Sequence, residues 1–222
     1  MMVLAGPADD ALKNAKDLMA KGDLQSALKA ANDGLAIDPA NFDLNLLVAN
    51  LYSTLGNFQN SLNYYKKALE KKGKDADVLY GAGMAAYKLN LYDEAIQYFK
   101  SGEKTGKLKG QFYYGLGLAQ TEKGDYANAD LNIRKAIDKD KKNPLYHLAL
   151  AETNYKNKVY SIAVTEFKKA MVIDSTLDRT HQDIHYKLAQ SQLNLRNIPG
   201  TIDEYKIQVD HYPSDSTSWL EL

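Results

Sequence analysis

The chain has 222 residues, no cysteine, and 28 Lys plus Arg against 28 Asp plus Glu. That balance removes any net attraction for polyanions such as nucleic acid or an anionic membrane, and the missing thiols exclude disulfides, thiolate catalysis and thiolate metal sites. No stretch approaches the roughly 18 apolar residues of a membrane span, because the most apolar window, Leu44 to Tyr52, is interrupted by Asn45 and Asn50.

In chain order, residues 1–7 read as a disordered N-terminal segment or a remnant of recombinant expression. They lack the charged and apolar regions of a signal peptide, although Val3-Leu4-Ala5 fits the last residues before a signal cleavage site. The expectation is a soluble protein, with the compartment open between the cytoplasm and export to the periplasm.

From residue 8 the chain repeats itself. Gly22-Asp23-Leu24, Gly56-Asn57-Phe58, Asn90-Leu91-Tyr92, Gly124-Asp125-Tyr126 and Lys158-Val159-Tyr160 recur every 34 residues. Arg196-Asn197-Ile198 follows after 38, so about four residues are inserted near Leu177 to His181. The copies span about 8–41, 42–75, 76–109, 110–143, 144–177 and 182–215, a single array over 8–215. Residues 216–222 open a truncated seventh or capping helix, with Trp219 and Leu222 at its aromatic and leucine positions.

Within a copy the apolar spacing is three to four residues, the helical period, and no segment alternates like a strand. The eighth position is always small, as Ala15, Ala49, Gly83, Gly117, Ala151 and Ala189, and so is the twentieth, as Ala27, Ser61, Ala95, Ala129, Ala163 and Thr201. Small residues are wanted where two helices approach closely, since a larger one overpacks at about 1 to 3 kcal/mol. The seventeenth position (Leu24, Phe58, Tyr92, Tyr126, Tyr160, Ile198) and the twenty-fourth (Ala31, Tyr65, Phe99, Ile133, Phe167, Tyr205) are expected to fill the space left over. Asp23, Asn57, Asp125 and Asn197 stand where the second helix of a pair needs an N-cap, and Pro199 falls in a first turn.

With Tyr-Gly-Leu-Gly, Gly-Asp-Tyr and Ala-x-x-x-Ile-x-x-Ala in series between Gly110 and Ala136, and a related series from Ala76 to Gly102, the chain resembles the tetratricopeptide repeat over about residues 8 to 213. The resemblance implies an all-α fold, a right-handed superhelical α-solenoid of antiparallel helix pairs A and B, whose A helices line a concave groove that holds a peptide or helix of a partner protein. Carried over position by position, the groove residues are Leu12, Lys16, Leu46, Asn50, Tyr80, Met84, Tyr87, Tyr114, Leu118, Thr121, Leu148, Glu152, Tyr155, Tyr186 and Gln190. Tyr87, Tyr155 and Met84 stand out because the motif's own packing does not demand them. The family's clamp for chaperone C-termini is not expected, since the matching positions carry Leu12, Lys16, Leu47, Asp77 and Gly81. Departures from the pattern are Gly102 and Gln208 at alanine positions and Ala31 at a bulky one, so the third and last copies should pack least regularly.

Nothing in the chain spells out chemistry. There is no Gly-x-Ser-x-Gly elbow and no phosphate loop, and Gly81-x-Gly83 and Gly115-x-Gly117 lie inside helices. Of four histidines only His181 and His185 are spaced i, i+4 on one helix face, with Asp178 nearby, and these read as an exposed insertion rather than a metal site. His147 occupies an aromatic packing position and His211 a helix end, where a cation suits the dipole. The expectation is a non-catalytic scaffold for protein–protein interaction with no catalytic residue, no metal and no cofactor, with no nucleic-acid partner and no membrane insertion. Two alternatives remain: a self-assembly module acting through its C-terminal end, and a recognition domain cut from a larger multidomain protein.

Overall fold

A computed structural model describes residues 6–221, so Val3 to Ala5 and Leu222 lie outside the described residues. Pro7 is the first residue of α1 (Pro7–Ala20), which pairs with α2 (Leu24–Ile37); α3 (Phe42–Thr54) pairs with α4 (Phe58–Lys71), and α5 (Ala76–Lys88) with α6 (Tyr92–Glu103). These six helices belong to the first of two compact units, which divide between Leu108 and Lys109. In the second unit α7 (Lys109–Glu122) pairs with α8 (Tyr126–Lys139) and α9 (Pro144–Lys156) with α10 (Tyr160–Ile173). A single turn, α11 (Leu177–Thr180), follows; then α12 (Ile184–Asn194) pairs with α13 (Ile198–His211), and α14 (Ser216–Glu221) comes last. No strand occurs among the described residues, and each unit is a stack of antiparallel helix pairs, as in an α-solenoid.

The pairs form because their joints are encoded locally. Residue one of the repeating triplet takes the left-handed conformation in all six copies, as Gly22, Gly56, Asn90, Gly124, Lys158 and Arg196, with φ between 60° and 80°. The next amide then reaches back to close the helix end, from Asp23 to the Leu18 carbonyl, Asn57 to Tyr52, Leu91 to Ala86, Asp125 to Gln120, Val159 to Asn154 and Asn197 to Gln192, at 2.8 to 3.1 Å. Asp23, Asn57 and Asn197 cap the following helix through their side chains. Asp125 does not: it binds the Asn128 amide instead. Asn41, Asp75 and Asn143 supply caps for A helices that the sequence reading left out.

The core follows the small and large positions. All six eighth-position residues are buried, and there an added Cβ on Gly117 meets Ile133 Cγ1 at 2.3 Å and one on Gly83 meets Phe99 Cε1 at 2.4 Å. The facing twenty-fourth position is buried in every copy, and burying Phe99 or Phe167 completely contributes about 1.5 to 3 kcal/mol each. The seventeenth position behaves differently from expectation: its residues are half-buried and Ile198 is 51% exposed, so it forms the rim of each pair and the twenty-fourth does the filling. Gln208, at an alanine position, is accommodated because its amide donates to the Gln182 carbonyl at 2.7 Å and to Asp215 at 2.9 Å. No described helix is long and apolar enough to cross a membrane.

Candidate functional site

The A helices carry the residues carried over from the resemblance. In the first unit Leu12, Leu46, Asn50, Tyr80, Met84 and Tyr87 are half-buried and Lys16 is exposed. In the second, Tyr114, Leu118, Glu152, Tyr155, Tyr186 and Gln190 are half-buried, whereas Thr121 and Leu148 belong to the interior at 6% exposure each. Thr121 is held there because its hydroxyl lies 2.7 Å from that of Thr153 and donates to the Gly117 carbonyl.

Half-burial fixes the orientation of these side chains. Tyr80 packs on Phe99, Tyr87 on Tyr92, Tyr114 on Tyr146, Tyr155 on Tyr160 and Tyr186 on Tyr205, with ring centroids 5.1 to 6.2 Å apart. Each ring is thus steadied by a neighbouring one, Tyr114 by a ring on the next hairpin and the other four by a ring on their own, and loses little rotamer freedom on contact with a ligand. Burial raises the Tyr155 hydroxyl above its ordinary value and pushes those of Tyr65 and Tyr205 up to about 12, so all three stay neutral. Between α9 and α12, Lys187 lies 2.8 Å from both Glu152 and Asp183. Burial alone would depress its amine, but the two carboxylates win and hold it charged.

Two polar residues of this face have partners the sequence reading missed. Asn50 accepts from the Tyr65 hydroxyl at 2.6 Å, and Gln190 donates to that of Tyr205. A signal was available: tyrosine occupies the twenty-fourth position in just these two copies, and both carry an amide side chain 15 residues earlier, at the ninth.

A second constellation lies at the end of the second unit. His147 Nδ1 sits 2.6 Å from Glu166 and its Nε2 3.2 Å from the Lys141 carbonyl. His185 Nδ1 sits 2.7 Å from Glu204. The pairing of His181 with His185 is not found: α12 begins only at Ile184, His181 contacts the Thr180 hydroxyl, and His185 is 5% exposed rather than on an open loop. His185 lies instead against His211, rings edge to face at 5.7 Å, with Asp178 beside them.

The tetratricopeptide repeat family matches residues 46–106 and again residues 110–143. The chain is a tetratricopeptide repeat protein. Among curated proteins this repeat chain is similar to the CTR9 homolog of Arabidopsis thaliana, at 25% identity over 89% of this chain and 22% of that one. It spans about a fifth of the length of the curated relatives it matches. Among solved structures it resembles PilW, a type IV pilus biogenesis factor, with a TM-score of 0.82 at 19% identity, covering 93% of this chain and 94% of that one. YrrB, described as a tetratricopeptide repeat protein with an unusual peptide-binding site, gives a TM-score of 0.66 at 18% identity over 87% and 98%. At such identities the likeness concerns the fold, and the tetratricopeptide fold is one of protein–protein interaction.

Proposed function

We propose that this chain is a non-catalytic scaffold that binds an extended or helical segment of another protein along the A-helix face of its repeats. The observation that carries the reading is the cluster on α9 and α12, where Tyr155, Tyr186, Glu152 and Gln190 stand half-buried around the Lys187 bridge. Aromatic rings held in place by a neighbouring ring supply contact area at low entropic cost, and amide, carboxylate and ammonium groups beside them supply direction. The peptide-binding site named for YrrB, on the same fold, is consistent with this reading. In a capture experiment from the native source, Tyr155→Ala or Tyr87→Ala lowers recovery of the specific partner, and each contact is worth about 1 to 2 kcal/mol, roughly tenfold in affinity. Full retention by both variants, with circular dichroism unchanged, rejects this face as the binding site.

A second reading, self-association, is favoured by α14, which exposes Trp219 at 54% and Leu220 at 88%. Sedimentation over a concentration series separates the two: a mass that rises with concentration and falls back in Leu220→Ser supports assembly, and a constant monomer mass removes it.

A further inference from the structure

We infer that the last repeat holds a divalent transition-metal ion, of zinc-like preference, between Asp178, His185 and His211. One ligand atom from each of the three lies within 4.8 Å of the others. The atoms Asp178 Oδ1, His185 Nε2 and His211 Nδ1 are shielded from solvent, and none has a hydrogen-bond partner in the protein. Burying one unsatisfied polar atom costs about 1 to 3 kcal/mol, so three converging on one point need a common partner. Imidazole and carboxylate are the donor types that suit zinc, cobalt or nickel, and three protein ligands leave a fourth position for water or another donor. A tetrahedral ion about 2.0 to 2.2 Å from each ligand requires their atoms roughly 3.4 Å apart. With the present atoms within 4.8 Å of one another, side-chain rotation has to bring them at most about 1.4 Å closer.

The surroundings orient the ligands. His185 Nδ1–H donates to Glu204 at 2.7 Å, and the second oxygen of Glu204 accepts from Gln192 at 3.3 Å. A carboxylate on Nδ1 fixes the tautomer that presents the Nε2 lone pair to a metal. The three ligands come from three elements: Asp178 from the insertion turn α11, His185 from the first turn of α12, and His211 from the end of α13. An ion here ties the insertion, the one break in the repeat period, to the hairpin that follows it. It thereby places Tyr186, the next residue on α12.

The test uses the full, untagged chain, stripped with a chelator and titrated with zinc sulfate by calorimetry, then with cobalt by visible absorption. Expected is one ion per chain, a rise in melting temperature with zinc, and a cobalt spectrum of four-coordinate intensity. His211→Ala and the isosteric Asp178→Asn each weaken zinc binding by more than the roughly 10- to 100-fold that loss of an outer partner costs, and Glu204→Gln by about that amount. His181→Ala, whose ring contacts Thr180 instead, leaves affinity unchanged. Circular dichroism confirms that each variant folds, and Asp178→Asn keeps the test valid if the histidine variant does not. The inference is overturned if no stoichiometric ion binds, if His211→Ala and Asp178→Asn both bind like the parent, or if His181→Ala loses the ion as they do.

Discussion

In the fifth repeat His147 commits both ring nitrogens inside the protein, one to Glu166 and one to the Lys141 carbonyl. In the sixth, His185 keeps the equivalent glutamate, Glu204, but its second nitrogen faces Asp178 and His211. The carbonyl six residues before His185 belongs to Arg179 and is already taken, by the Tyr212 hydroxyl at 2.6 Å. Where the sixth repeat closes on His211, the fifth closes on Ile173, which has nothing to donate. Asp140, seven residues before His147, caps the Lys142 amide instead of turning inward. A shared buried pair is thus self-contained in one repeat and open on one side in the next, because His211 replaces Ile173 and Asp178 turns inward where Asp140 does not.

The largest effect should come from cutting each pair. In chelator-treated protein His185→Ala is expected to cost about 3 to 5 kcal/mol, because it leaves Glu204 buried with only the Gln192 amide. His147→Ala should cost less, about 1.5 to 3 kcal/mol, because Lys169 remains 2.7 Å from Glu166. Denaturant midpoints measured side by side decide the order, and the reverse order would refute the comparison.

Exchanging what fills the alanine position comes next. Ala170 is fully buried in the fifth repeat, so Ala170→Gln overpacks at about 1 to 3 kcal/mol. Its counterpart Gln208→Ala should lose about 1 to 2 kcal/mol, with faster amide exchange over residues 213–221, because it loses the bond to the Gln182 carbonyl and the one to Asp215 that ties that segment to α13.

Acid titration sharpens the contrast further. Burial would raise the Glu166 carboxyl, but hydrogen bonds from His147 and Lys169 and the charges of both hold it below its ordinary 4.5. A depressed folded value means stability present above about pH 4.5 and lost as pH falls through the folded value. Glu166→Gln should flatten that acid limb of the stability curve, read by urea denaturation at stepped pH.

The smallest effect tests whether the two repeats are alike away from the histidines. Lys158 and Arg196 both hold φ near 60°, which costs a side chain about 1 to 2 kcal/mol, and glycine returns part of the gain as chain entropy. Lys158→Gly and Arg196→Gly should each stabilise by up to about 1 kcal/mol and equally, by the same denaturation assay.

Much of the fold was legible because its determinants are local. Small residues at the eighth and twentieth positions and a left-handed turn residue in every copy act within one hairpin, so they recur with the period, and even Lys158 and Arg196 could be placed by register against glycine. The proposed binding face was legible only by position. That Thr121 and Leu148 sink into the interior while Tyr155 and Tyr186 stay half-open depends on neighbouring helices.

The sequence by itself determined the helix pairs, their joints, the small packing positions, the large one at the twenty-fourth place and the place of the insertion, because each depends on residues a few turns apart. Only the tertiary structure decided that His185 meets His211 and Asp178 rather than His181. The insertion interrupts the helix on which an i, i+4 spacing would hold, and His211 returns to His185 only when α13 folds back along α12. Ligands gathered from three elements leave no periodic trace in the chain, since the distance that matters is set by the packing of one helix against another.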